Sequence, residues 1–258
     1  MASKKTLNIV VPVYNESETI IKTLDEVREN AMPPCKIWIV YDFDEDTTIP
    51  VVKQAEGDYP YPVNLIKNEF GRGALQAIKT GLKRSTDGSA LVIMADLSDD
   101  LCIVERMREM IERDGFDVVC GSRYMKGGRQ IGGPLIKRTM SRVAGISLHL
   151  LTGIPTHDVS NSFKMYGERV LSTIEIESNG GFELGMELTV KAFIKGYKVG
   201  EIPSTWWDRT AGQSRFRLIS WLPNYLHWYF YAIKGRLKGL PPKQNKKSAS
   251  THSEGVAS

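Results

Sequence analysis

The stretch IMADLSDD, residues 93–100, ends an apolar run in three carboxylates, Asp96, Asp99 and Asp100, within five positions. Carboxylates this close repel one another, so the cluster calls for a positive partner. That partner is either a hard divalent cation, which takes oxygen ligands, or the unpaired amides of a helix start. The first arrangement would clamp a phosphate ester; the second would only dress a helix. Other acids also end strand-like runs: Glu16 in PVYNE, and Asp42 and Asp46 in YDFDED. Helix capping, worth roughly 0.5–2 kcal/mol each, accounts for Asp46 and for Asp99 or Asp100 taken singly. Asp42 and Asp96 taken together point to function.

The elements that must position these acids follow from hydrophobic period. LNIVVPVY, KIWIVYD, VNLIKN, ALVIMAD and FDVVCGS read as strands, and they alternate with the helical patterns ESETIIKTLDEVREN, TTIPVVKQAEG, GALQAIKTGLKRS and CIVERMREMIERDG. This order predicts an α/β fold with a mostly parallel sheet covered by helices on both faces. Ligands of such sheets bind beyond the carboxyl ends of the strands, where the acids lie. Asn15 with Glu18 reads as a capping pair. Val104, Met107, Met110 and Ile111 recur at helical spacing and belong to the core. Beyond residue 125, KGGRQIGG reads as a flexible loop and PLIKRTMSRVAGISLHLLTG as a helix with several cations. NSFKMYG and YKVGEIPSTWW read as strands flanking the helix FELGMELTVKAFIKG.

A chain of 258 residues can bury one substantial core and needs no second domain. The main domain is expected over residues 1–214, an amphipathic helical segment over 215–240 and a disordered tail over 241–258. A net charge of +4 is too mild to argue for nucleic acid. Cys35, Cys102 and Cys120 are far apart and lack metal or redox spacing, which fits reduced, buried thiols in the cytoplasm. MASKKTLNIVVPVYN lacks the apolar region of a signal peptide, so export is not expected. No apolar run reaches the ~20 residues needed to span a bilayer. Instead, Trp221, Tyr225, Trp228 and Tyr229 with Leu218, Leu222 and Leu226, flanked by Arg215, Arg217, Lys234, Arg236 and Lys238, fit a helix lying in a membrane interface or packed on a protein surface.

FGRGALQ follows a strand and opens a helix, as a dinucleotide fingerprint would. Gln76 stands where close helix packing needs glycine, however, and the motif lies on the third strand rather than the first. Gly71 and Gly73 fit a tight turn or a close backbone approach to a ligand.

Taken in order, VVPVYNE, DFDEDTT, GRGALQAIKTGL, MADLSDD, GSRYMKGG, DVSNSFKMY and STWWDRTAGQSRF resemble the successive motifs of family 2 glycosyltransferases with the GT-A fold. The resemblance spans residues 6–220 and is closest to the polyprenyl-phosphate (dolichyl-phosphate) mannosyl- and glucosyltransferase branch, singled out by GSRYMKGG followed by RTMSR and by DRTAGQSRF. It implies that Pro12, Tyr14, Glu16 and Asp42 hold the nucleotide of a GDP- or UDP-hexose. It places Asp96 on Mg²⁺ or Mn²⁺ bound to the diphosphate, with Ser98 where a further ligand often stands. Arg123, Arg138 and Arg209 would contact phosphates, and Glu187 matches a glutamate on the helix beside the site. It also implies a polyprenyl phosphate acceptor and attachment to the cytoplasmic face of a membrane, directly or through an anchoring partner subunit.

One departure stands out. The family commonly carries Asp-x-Asp at the acid turn, and here Met94 replaces the first acid. A thioether is a poor ligand for a hard cation. Asp99 or Asp100 would then act as reserve ligand, the other as helix cap, or Asp96, water and the diphosphate would suffice.

The implied reaction inverts the anomeric carbon. A lipid phosphate is already largely ionised near pH 7, its second pKa being about 6, and needs no strong base. A hydroxyl acceptor needs one, and neither His149 nor His157 sits in a site-like motif. Two alternatives follow: a transferase of this fold using a saccharide or hydroxyl acceptor, and a catalytically silent nucleotide-sugar-binding subunit, which Met94 motivates.

Overall fold

Strands that bury both faces need helices above and below them, and the alternating pattern supplies both layers. The computed structural model describes residues 5–208 and 218–241. Its strands are β1 (Leu7–Pro12), β2 (Cys35–Tyr41), β3 (Val63–Lys67), β4 (Ser89–Val92), β5 (Val118–Ser122), β6 (Arg129–Ile131), β7 (Lys164–Tyr166), β8 (Val199–Pro203) and β9 (Thr205–Trp207). Seven form one sheet in the order β3-β2-β1-β4-β7-β5-β8, and β6 pairs with β9 apart from it. All pairings are parallel except those of β7, where Met165 lies opposite both Leu91 and Val119 in antiparallel register.

The helices are α1 (Ile20–Asn30), α2 (Thr48–Gln54), α3 (Ala74–Arg84), α4 (Val104–Glu112), α5 (Leu135–Thr152), α6 (Glu168–Thr173), α7 (Leu184–Ile194) and α8 (Leu218–Leu237). Side chains alternate across the sheet with period two, so β1 feeds two apolar layers. Ile9 and Val11 join Leu24, Ile39, Met107 and Phe163 on one side. Val10 joins Ile78, Val92, Leu188 and Trp228 on the other. Each such side chain contributes about 1.5–3 kcal/mol by burial. As expected, Val104, Met107 and Met110 are buried, with Ile111 packed against them.

Three expectations are corrected. Asn15 and Glu18 do not cap α1: the helix begins at Ile20 behind Thr19, which makes no side-chain cap, and Asn15 has φ of +56°. KGGRQIGG is not wholly a loop, because Arg129–Ile131 is β6, held by β9. Cys102 is exposed rather than buried.

Helix α8 packs on α5 and α7. Trp228 and Ala232 are buried in that contact, Trp228 Nε1 donates to Ser178 Oγ at 2.9 Å, and Ser147 and Tyr229 share a 2.8 Å hydrogen bond. The outer side of α8 leaves Leu226, Phe230 and Leu237 exposed, and α5 leaves Leu135, Ile136, Val143, Leu150 and Leu151 exposed. Among the described residues, no helix is long and apolar enough to cross a membrane.

Candidate active site

The residues that follow β1, β2, β3, β4 and β5 collect at the carboxyl edge of the sheet, where parallel sheets hold their ligands. After β1, Asn15 takes its left-handed backbone because tertiary partners hold it. Its amide donates to Asp46, 3.1 Å from each carboxylate oxygen, and its Oδ1 accepts the Thr47 amide at 3.1 Å. The Glu16 amide donates to Thr48 Oγ1 at 2.9 Å. Asp46 also accepts the Thr48 amide at 2.8 Å, the helix-start role open to it in the sequence, while stapling the first loop to the second. Tyr14 meets Phe43 edge-on at 5.2 Å, and the Arg72 guanidinium lies over the Phe43 ring, 5.8 Å from its centroid.

Asp42 orders the third loop. It accepts Asn68 Nδ2 at 2.8 Å and the Gly73 amide at 2.9 Å. Gly71 and Gly73 have φ of +99° and +120°, which only glycine adopts without strain, so the turn expected of them is present. Pro12 closes β1, one strand away from both Asp42 and the acid turn.

Beyond β4 the chain folds back on itself. Leu97 has φ of +60°; Ser98 donates its amide to Asp96 Oδ1 at 3.2 Å, and Met94 donates its amide to Asp99 Oδ2 at 3.0 Å. Asp99 therefore returns over the position where the first acid of the motif is missing. Burial, then the charge of Asp96, pushes the Asp99 carboxyl up to about 7. The helix-cap alternative for Asp99 and Asp100 fails: the short 3₁₀ turn Leu101–Ile103 that precedes α4 has no side-chain cap. Asp100 instead accepts the Thr205 amide of β9 at 3.1 Å, and Ser98 accepts the Trp207 amide at 3.0 Å.

After β5, Arg123 is held by buried Asp158, which accepts Nε at 2.7 Å and Nη2 at 2.8 Å. Strands β4 and β5 both run antiparallel to the β7 between them, so the acid turn and this arginine lie at the same edge of the sheet. The neighbouring Tyr124 hydroxyl bonds Ser141 Oγ on α5 and Gln130 Oε1 on β6, the latter at 3.0 Å. Arg138 is half-buried on α5, one turn before Ser141. Glu187 lies on α7, the helix on which it was expected. Fully buried, it accepts the amides of Glu177 and Ser178 at 2.6 and 2.9 Å and Lys191 Nζ at 2.7 Å, anchoring the loop before α7. Arg209 lies outside the described residues. His149 and His157 stack at 4.2 Å, with His157 Nδ1 on Glu201 at 2.5 Å and His149 Nδ1 on the Ile154 carbonyl at 2.7 Å. The anchor Asp158 gives no local signal in the chain, being 35 positions from Arg123 inside DVSNSFKMY.

The oxygens of Asp96, Asp99 and Ser98 suit a hard cation, which relieves repulsion between buried carboxylates. Among the described residues, no group of three or more His, Cys, Asp or Glu could hold a metal. One or two carboxylates plus a substrate diphosphate is the coordination Mg²⁺ commonly accepts, so the residues fit such an ion.

The mostly parallel sheet flanked by helices is that of the GT-A fold. The chain belongs to the family described as Glycosyl transferase family 2, whose sequence model matches residues 8–174. It is 27% identical over 215 residues to a dolichol-phosphate mannosyltransferase of Pyrococcus furiosus, a match covering 82% of this chain and 59% of that relative. It is 28% identical over 220 residues to a polyprenol monophosphomannose synthase of Mycolicibacterium smegmatis, covering 83% of this chain and 81% of the relative. Among solved structures it resembles glucosyl-3-phosphoglycerate synthase of Mycobacterium tuberculosis. The complex with UDP superposes with a TM-score of 0.66 at 12% identity, over 93% of this chain and 82% of the other. The complex with Mn²⁺, UDP-glucose and phosphoglyceric acid gives 0.63 at 14% identity, over 93% and 81%. At such identity the likeness carries the fold alone.

Proposed function

We propose that this protein transfers a hexose, mannose or glucose, from GDP- or UDP-sugar to polyprenyl phosphate at the cytoplasmic surface of a membrane, inverting the anomeric carbon. The observation that carries this reading is the meeting, at one edge of the sheet, of the carboxylate turn after β4 and of Arg123, fixed by Asp158, after β5. Pro12, Tyr14, Glu16 and Asp42 hold the nucleotide, with Gly71 and Gly73 shaping the loop beside it. Asp96, with Ser98 and Asp99 beside it, would hold a Mg²⁺ or Mn²⁺ ion, which would supply positive charge to the leaving diphosphate. Arg123, Arg138 and Arg209 orient phosphate oxygens, which favours the developing charge without reorganisation. An acceptor phosphate oxygen forms the new bond to the anomeric carbon as the bond to the diphosphate breaks. An acceptor phosphate brings its own charge, its second pKa being about 6, and needs no strong base.

The exposed apolar sides of α5 and α8, with Lys234, Arg236 and Lys238 at the end of α8, suit an interface helix pair that meets the lipid acceptor where it lives. The test is incubation with radiolabelled GDP-mannose or UDP-glucose, polyprenyl phosphate and Mn²⁺, followed by phase partition. Label in the organic phase is expected. Label in water with a saccharide acceptor would move the assignment to a hydroxyl acceptor. Nucleotide binding without turnover at any metal concentration would identify a silent binding subunit, the reading Met94 favours.

A further inference from the structure

Asp100 ends the acid cluster, yet both of its oxygens are engaged by protein groups. Oδ1 accepts Cys102 Sγ at 2.7 Å, and Oδ2 accepts the amide of Thr205, 105 positions later. Two residues on, the Trp207 amide donates to the Ser98 carbonyl at 3.0 Å. Strand β9 is thus bonded at both ends to the turn that carries Asp96. The same three-residue strand pairs with β6, Arg129 opposite Thr205 and Ile131 opposite Trp207, and β6 leads directly into α5.

We propose that Asp100 is a positioning residue for the acceptor side of the transfer: it fixes β9 on the acid turn, so that the donor diphosphate and the half carrying β6 and α5 keep one spacing. The inference rests on the transferase reading and deepens it. Reactions between two bound substrates depend steeply on their relative placement, so a loosened joint lowers turnover without releasing the nucleotide. An uncharged oxygen can still accept an amide, so Asp100→Asn preserves the joint and Asp100→Ala removes it.

Both variants are compared with the native chain by acceptor KM, kcat, nucleotide affinity with Mn²⁺ in the absence of acceptor, and amide hydrogen exchange. For Asp100→Ala the expected result is a loss of kcat over acceptor KM of about tenfold or more, with nucleotide affinity held within about threefold. Faster exchange is expected at Thr205 and Trp207, and Asp100→Asn should recover most of the loss. Parallel loss of nucleotide affinity in Asp100→Ala would assign Asp100 to the donor site and overturn the proposal. So would equal damage in both variants, or unchanged exchange at Thr205. The exchange readout needs no turnover, so an inactive native protein would sink the transferase reading while exchange still decides the joint.

Discussion

Arg123 and Asp158 form a two-pronged ion pair, and the Arg123 amide adds a third bond to Asp158 Oδ2 at 3.0 Å. The pair joins the loop after β5 to the turn before β7. Buried Lys164, donating to the Val159 carbonyl at 3.0 Å and to that of Asn161, holds the same turn from beneath. The guanidinium is therefore ordered before any ligand arrives, the preorganisation that the proposed phosphate contact requires.

Removing Asp158 leaves a nearly buried cation unpaired, which typically costs about 3–5 kcal/mol. Asp158→Asn should lower the thermal midpoint on the order of 10 °C, measured by scanning calorimetry. The pH dependence has a fixed sign. Burial works to raise the Asp158 carboxyl, but the charge and hydrogen bonds of Arg123 outweigh it and hold the group below the ordinary carboxylate range. A depressed acid stabilises the fold above its unfolded value, ~3.9, and loses that contribution as pH falls through the lower folded value. Stability should therefore fall more steeply below about pH 4 in the native chain than in Asp158→Asn.

Asp96 separates turnover from binding. Asp96→Ala should reduce turnover by about 10²–10³-fold, the usual scale for losing leaving-group stabilisation. Nucleotide affinity measured without metal should change little. Steady-state rates and a thermal-shift titration with GDP and UDP check both halves. Unchanged turnover would remove Asp96 from the mechanism.

Gly145 tests whether α5 must lie against the loop that carries Asp158. A Cβ there would stand 2.1 Å from the His157 carbonyl oxygen, a backbone atom that cannot swing aside. Gly145→Ala should cost about 1–3 kcal/mol by overpacking and lower turnover by shifting Ser141 and Tyr124. Gly153→Ala is the control: its φ of +75° makes alanine costly at about 1 kcal/mol, but open space surrounds it and turnover should hold. Equal turnover loss in both would reduce the effect to stability.

What the sequence discloses is what period and local chemistry determine. The alternation of apolar runs placed five parallel strands, and the acids after β2 and β4 were legible because strand ends and ligand edges coincide. Tertiary choices were not. Asn15 and Glu18 match a capping box, but Asn15 spends its backbone amide on Asp46 and its side-chain Oδ1 on the Thr47 amide. β6 is invisible among glycines because its partner lies 76 positions later, Arg129 opposite Thr205. Asp100 resembles its neighbours in the acid cluster, and only the fold reveals that it serves β9. Glu187 was traceable to a helix, but its buried oxygens turn to loop amides.

The outward sides of α5 and α8 carry the exposed apolar residues of both helices. Ile136, Val143 and Leu150 are 71%, 61% and 76% exposed, so replacing all three with Ser removes apolar surface from water and leaves the core intact. Such surface changes usually move stability by no more than about 0.5 kcal/mol each. Each side chain that enters a lipid interface contributes up to about 1.5–3 kcal/mol, so the triple variant should lose at least tenfold, ~1.4 kcal/mol, in partition to vesicles of phosphatidylcholine and phosphatidylglycerol. Charge reversal of Lys234, Arg236 and Lys238 should weaken binding by about 1 kcal/mol per site at low salt and remove its salt dependence. Turnover of a short-chain, water-soluble polyprenyl phosphate should persist in both variants, because neither touches the acid turn or Arg123. Flotation assays at two salt concentrations read the outcome. Undiminished vesicle binding in the triple variant would mean that these helix faces serve a protein partner instead.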